Sequence, residues 1–197
     1  MTDSKLTQLA NSRPAELQMM SKKSLTWLAN RIAEIKNPGA IPGGISREAY
    51  RQTTGFRLGG MYCFYYDPKT KDKLEYYDRF PMVLALEQYP DGFLGLNLHY
   101  LPFQYRIAFL GKLMHFAEMG ANGEIQRLRV TYDILTASKS LKAFKPCLKR
   151  YLTGHIQSKI LAIQSNEWDI AAFLPIQQFK KASAAKVWQE SMEEIRN

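Results

Sequence analysis

The chain has 197 residues, with 27 Lys and Arg against 18 Asp and Glu (formal charge +9), 46% apolar and 12% aromatic. That is ample material for one packed domain and excludes a disordered chain. No stretch reaches the ~18 consecutive apolar residues of a membrane span, and the start, MTDSKLTQLANSRP, lacks the apolar run of a secretory leader.

Residues 1–22 are polar and interrupted by Pro14, which reads as an arm or a short leading helix. Ser24 is placed to cap a helix over 25–36, with Leu25, Leu28, Ile32 and Ile35 on one face. Asn37-Pro38-Gly39 stops it, 37–44 is a Pro/Gly loop, and a short helix is expected from Ser46 to about Thr53. The aromatic run 61–66 between Gly59-Gly60 and Asp67-Pro68 predicts a strand, followed by a charged turn over 67–73. Two apolar runs, 80–88 and 93–101, flank Tyr89-Pro90-Asp91-Gly92, a hairpin signal in which Gly92 is expected at positive φ. Alternation in the second run predicts a buried face (Leu94, Leu96, Leu98, Tyr100) and a half-polar face (Gly95, Asn97, His99).

Helical spacing predicts a helix over 103–118 through Ile107, Leu110, Leu113 or Met114, and Ala117. Alternation predicts a strand over 125–136. Residues 140–153 read as a helix with Leu141, Phe144, Leu148 and Tyr151 on one face and Pro146 as a kink or start point. A strand region over 159–174 and a terminal helix over 182–196 complete the pattern. The expected fold is α+β: a small bent antiparallel sheet or partial barrel with surrounding helices. The expected organisation is an N-terminal arm and helix (1–56) and an α+β core domain with its C-terminal helix (57–197).

The charge is uneven. Residues 1–100 hold 13 bases and 10 acids, residues 101–197 hold 14 and 8, and no acid lies between Asp133 and Glu167. That stretch carries Lys139, Lys142, Lys145, Lys149, Arg150 and Lys159. On a helix, Lys142, Lys145 and Lys149 form a row opposite the apolar face, a pattern suited to phosphate backbones and blind to base sequence. Lys180, Lys181 and Lys186 form a second basic cluster. A solvated helix face, or contact with acidic protein neighbours, is the competing reading. Tyr62, Tyr65, Tyr66, Tyr76 and Tyr77 offer a stacking platform for single strands, or simply core.

Other chemistry finds less support. Asp67, Asp72 and Asp78 resemble the carboxylates of a metal-dependent nuclease, but Lys69, Lys71 and Lys73 compete with any cation. His99, beside Asn97, is either a catalytic pair member or a satisfier of backbone groups at a sheet end, and His115 and His155 stand alone. Cys63 and Cys147 have no Cys or His at metal spacing, Cys147 lacks a poised histidine, and the paired glycines precede no Gly-Lys-Ser/Thr. No catalytic residue, metal or cofactor is expected.

Four stretches carry a resemblance: YYDPKTKDKLEYYDRFPMVLALEQYPDGFLGLNLHYLP (65–102), FKPCLKRYLTGHIQSKIL (144–161), EWDIAAFLP (167–175) and FKKASAAKVWQES (179–191). They are similar to segments of the DNA end protectors of contractile-tailed phages of the T-even type and their cyanophage relatives. The shared residues include Asp67, Pro68, Tyr77, Asp78, Phe80, Pro81, Asp91, Gly92, Asn97, His99, Tyr100 and Pro146, which look like turn and core positions. The resemblance implies a non-enzymatic virion protein on the end of packaged double-stranded DNA at the head–tail connection, shielding it from host exonuclease. It implies other virion proteins as partners, no membrane, and residence in the virion and in host cytoplasm during assembly and after injection. A neck or baseplate adaptor making only protein contacts, and a small-barrel nuclease, are the alternatives.

Overall fold

The computed structural model describes residues 14–36, 56–119, 133 and 142–196. Its centre is a five-stranded antiparallel sheet of β1 (Met61–Cys63), β3 (Met82–Tyr89), β4 (Gly92–Asn97), β5 (Leu148–Leu152) and β6 (Leu161–Ile163), in the order β5-β4-β3-β1-β6. A two-stranded sheet pairs β2 (Tyr77–Asp78) with β7 (Phe179–Lys180). The helices described in full are α1 (Pro14–Lys36), α2 (Phe103–Met119), α3 (Trp168–Ala171) and α4 (Ala184–Arg196). The fold is α+β as expected, with the sheet open rather than closed into a barrel. No helix among the described residues is long and apolar enough to cross a membrane.

Period-two alternation on β3 explains why the sheet is covered on both sides. Met82, Leu84 and Leu86 join the larger core with Met61, Cys63, Leu96, Ile107, Leu110 and Phe173. Val83 and Ala85 join Tyr62, Phe64, Tyr66, Phe93 and Tyr151 on the opposite face. That second layer is aromatic: Phe64 meets Tyr151 edge-on at 5.5 Å and Phe93 stacks on Tyr151 at 5.3 Å. Leu86 is an extra residue between the pairs Ala85–Gly95 and Glu87–Leu94, a bulge that bends β3.

The 103–118 helix and the terminal helix match their sequence signals; Ser183 Oγ caps the last by accepting the Lys186 N–H at 3.3 Å. The hairpin forms, but its second strand, expected over 93–101, ends at Asn97, where the Asn97 side chain accepts the His99 N–H and Leu98–Tyr100 turn into a 3-10 segment. Tyr89 pairs with Gly92 across Pro90-Asp91. Gly92 has ordinary φ, however, and its requirement is steric: a Cβ there would collide with the Tyr151 carbonyl of β5. The helix expected from 25 begins at Pro14, a residue suited to the first helical turn. Ser24 is therefore internal and buried, its Oγ within hydrogen-bond distance of two carbonyls that share its one proton, Met20 O (2.9 Å) and Ile170 O (2.7 Å). Leu28 packs in the core, whereas Leu25 is 43% exposed. The strand expected over 61–66 ends at Cys63, with Tyr66 making one isolated bridge to Ile156.

Two further expectations are overturned. Residues 142–147 form a 3-10 segment and 148–152 form β5, replacing the 140–153 helix. Pro146 interrupts helical bonding, and the open edge of β4 recruits Leu148–Leu152 over the register Leu96–Leu148 to Gly92–Leu152. Residues 169–174 are not a strand: Glu167 reaches back to the Gln164 N–H in a capping box that starts a 3-10 turn (Ser165–Glu167) running directly into α3, so strand structure in 159–174 is confined to β6. The expectations for 37–44, Ser46–Thr53 and the 125–136 strand fall outside the described residues, apart from Asp133, whose backbone is helical.

Candidate nucleic-acid interface

The arrangement starts from β2. Its pairing with β7 sets Tyr77 opposite Lys180 and Asp78 opposite Phe179, so each pair shares one face. Asp78 and Phe179 turn inward, and Tyr77 and Lys180 turn outward beside Arg79.

The inward side is a sealed polar cluster. The Asp78 carboxylate accepts from His99 Nδ1 (2.6 Å), Asn97 Nδ2 (3.3 Å), Phe80 N (3.1 Å) and Gln178 N (3.0 Å). Asn97 also donates to the Tyr151 hydroxyl (3.1 Å) and accepts the His99 N–H (3.0 Å), and His99 O accepts the Trp188 indole N–H (2.8 Å). Burial works against the Asp78 charge, but His99 and the two backbone N–H groups outweigh it and hold the carboxyl below its ordinary value. Burial is also the largest influence on His99 and lowers it, against the pull of Asp78, so the ring is neutral at pH 7 and donates from Nδ1. Arg106, fully buried nearby, is pushed down to about 10 by burial and stays charged while its Nη1 donates to Leu174 O (2.9 Å). The half-polar face is therefore enclosed, and of the two readings of Asn97 and His99 the structure shows the second: both are buried and bond groups at the sheet end.

The outward side is an open cleft of about 570 Å³, lined by Tyr65, Tyr66, Asp67, Lys71, Tyr77, Arg79, Gln157 and Lys180. Lys71 is paired with Asp67 (2.9 Å). Arg79 and Lys180 have no acidic partner among the described residues, and the Arg79 guanidinium stands 5.9 Å from the centre of the Tyr65 ring. Tyr65 is exposed and braced by Phe80 at 4.6 Å. Aromatic faces with unneutralised cations are the surface chemistry of nucleic-acid binding.

A family model described as phage T4 terminal DNA protecting protein matches residues 41–191. The chain belongs to that family. No curated protein and no solved structure matches it.

The structure scatters the basic residues that the sequence grouped for this family member. Lys139 and the Lys142 side chain lie outside the described residues. The helical row does not exist, because Lys145 is in the 3-10 segment and Lys149 is in β5, where it and Arg150 point to opposite faces. Lys145 pairs with Glu194 (3.3 Å), Lys149 is half-buried with its ammonium 4.2 Å from the Tyr100 ring centre, and Arg150 pairs with Asp91 and stacks on Tyr89. Lys159 is exposed. In the second cluster, Lys181 donates to the carbonyls of Lys71 (2.6 Å), Asp72 (3.2 Å) and Leu74 (2.9 Å), and Lys186 pairs with Glu75 (2.9 Å) and Glu190 (3.4 Å). Lys180 alone of that cluster opens into the cleft.

The three aspartates do not converge: Asp67 pairs with Lys71, Asp72 is exposed and Asp78 is buried. Among the described residues, no three of His, Cys, Asp and Glu are grouped to hold a metal. Burial pushes the Cys147 thiol up to about 12, which leaves it unreactive at neutral pH. Of the five tyrosines, Tyr62 and Tyr66 are core, Tyr76 and Tyr77 are half-buried, and Tyr65 is exposed. Arg79 was missed by the sequence reading. The alternation Tyr77-Asp78-Arg79 was the available signal, but β2 is only two residues long.

Proposed function

We propose that this protein binds the end of packaged double-stranded DNA and shields it from host exonuclease, acting as a non-enzymatic virion protein at the head–tail connection beside other virion proteins. It resides in the virion, and in host cytoplasm during assembly and after injection. Membership of the terminal-DNA-protecting family carries this reading. The net charge of +9 supports it, as do the exposed cations Arg79, Lys159 and Lys180, which lack acidic partners among the described residues. Lys139 and Lys142 are proposed as supporting phosphate contacts; Lys145, Lys149, Arg150, Lys181 and Lys186, which already have partners of their own, are proposed only as contacts that DNA phosphates would have to compete for.

The test is digestion of linear and covalently closed duplex by a duplex exonuclease, with purified protein present. Protection of the linear substrate is expected, without cleavage in magnesium or manganese. Neutralising about six phosphates gives a log–log salt slope near −5. Unprotected linear DNA and no duplex affinity at moderate salt would overturn the reading in favour of a neck or baseplate adaptor. Cleavage abolished by Asp78→Ala or His99→Ala would replace it with a nuclease.

A further inference from the structure

We infer that the cleft between Tyr65, Arg79 and Lys180 receives the terminal nucleotide of a DNA duplex, its base against Tyr65 and its terminal phosphate between Arg79 and Lys180. The inference rests on the DNA-end reading above and assigns it a site.

The size fits. A cleft of about 570 Å³ falls within the roughly 300–1,000 Å³ of ordinary small-ligand sites, a size suited to one projecting nucleotide. The chemistry fits as well. A nucleotide in the body of a duplex is stacked on both faces and must be extruded at a cost of a few kcal/mol, whereas a terminal base has one face already bare. Tyr65 presents a ring for that face, 38% exposed and held against Phe80. Its backbone is fixed from both sides, the Tyr65 N–H donating to Ser158 Oγ (2.9 Å) and its carbonyl accepting the Gln157 N–H (2.8 Å). A ring held in place before binding loses little freedom on stacking.

The charges are arranged for a terminal phosphate. Lys71 and Asp67 compensate each other at the rim, leaving Arg79 and Lys180 as the unneutralised cations of the lining. A terminal phosphate carries more charge than an internal one and exposes more oxygens, so two cations lining one cleft favour an end over the backbone. The paired residues Tyr77 and Lys180 tie these groups to the β2–β7 ribbon, and Lys181 anchors the next position by bonding three carbonyls of the 71–74 loop.

The test compares a short hairpin duplex with one open, 5′-phosphorylated end, the same hairpin with a 5′-hydroxyl, and the same stem closed at both ends. Wild-type protein is expected to bind the phosphorylated open end at least about tenfold tighter than the closed stem, with the hydroxyl end between. Tyr65→Ala, Arg79→Gln and Lys180→Ala are each expected to erase most of that preference while closed-stem binding changes little. Tyr65→Phe should keep it. Lys180 has no side-chain hydrogen bond among the described residues, so Lys180→Ala remains informative should Tyr65→Ala fail to fold. A wild-type protein indifferent to ends overturns the DNA-end reading and this site together. End preference retained in all three variants overturns the site alone. Displacement of the open hairpin by equimolar free deoxynucleoside monophosphate would make the cleft a mononucleotide site and also overturn the inference.

Discussion

Tyr77, Asp78 and Arg79 are consecutive, yet they serve two regions of opposite character. Asp78 is 4% exposed and sits among four N–H donors from three separate segments, whereas Tyr77 and Arg79 line a cleft that also holds Lys180. In the inward region most polar groups bond one another, His99 Nε2 being buried without a partner among the described residues, and the bonds join β2, the end of β4 and the approach to β7. In the outward region Lys71 is paired with Asp67, and Arg79 and Lys180 have no acidic partner among the described residues. The difference separates groups that hold the fold from groups available to a ligand, and it can be probed from either side.

The largest effect is expected from Asp78→Ala, which strands His99, Asn97 and two backbone N–H groups in the interior. A loss of about 3–5 kcal/mol is expected in denaturant unfolding. A loss below about 1 kcal/mol would mean that the inward cluster does not hold the sheet end. Gly92→Val comes next: β5 must shift away from a new Cβ at Tyr151 O, costing about 1–3 kcal/mol. Because φ is ordinary there, Gly92→Ala should destabilise nearly as much, an outcome that a purely conformational role for glycine does not produce.

Acid should act on the inward cluster in two stages. His99 is held below its ordinary value of 6.5, so the unfolded chain takes up its proton first and stability falls as pH drops below about 6.5. Asp78 is held below 3.8, so its contribution is present above that value and is lost as pH falls further, through its folded pKa. Unfolding midpoints measured from pH 8 to pH 3 should show both, and His99→Gln should remove the upper stage. The smallest effects belong to the outward side. Lys181→Ala should cost about 1 kcal/mol through the loss of three carbonyl contacts. Lys181→Gly should cost less, since it relieves a backbone φ of 69°. Lys180→Ala should leave the melting temperature unchanged.

Those contrasts mark how far the sequence could be read. The hairpin, α2 and α4 were legible because each carries its own periodicity and punctuation over many residues. β5 was not: Leu141, Phe144, Leu148 and Tyr151 have helical spacing, and only the open edge of β4, more than fifty residues earlier, selects a strand. The basic row fell with that helix, since strand geometry sends Lys149 and Arg150 to opposite faces. The bond between Asp78 and His99 spans 21 residues and the contacts of Lys181 span more than a hundred, so no local pattern announces either. Lys180 was legible only as a member of a cluster. Its distinction from Lys181 and Lys186 comes from which of the three finds acids or carbonyls after folding.

The most direct measurement of the central claim is photo-crosslinking from a linear duplex that carries a photoreactive pyrimidine at its 5′-terminal position, with the adduct mapped by mass spectrometry. The account predicts adducts on peptides containing Tyr65 or Tyr77, and none when the same base is moved to the middle of the duplex. Adducts confined to peptides of the 139–150 segment, or equal yields from terminal and internal positions, would contradict it.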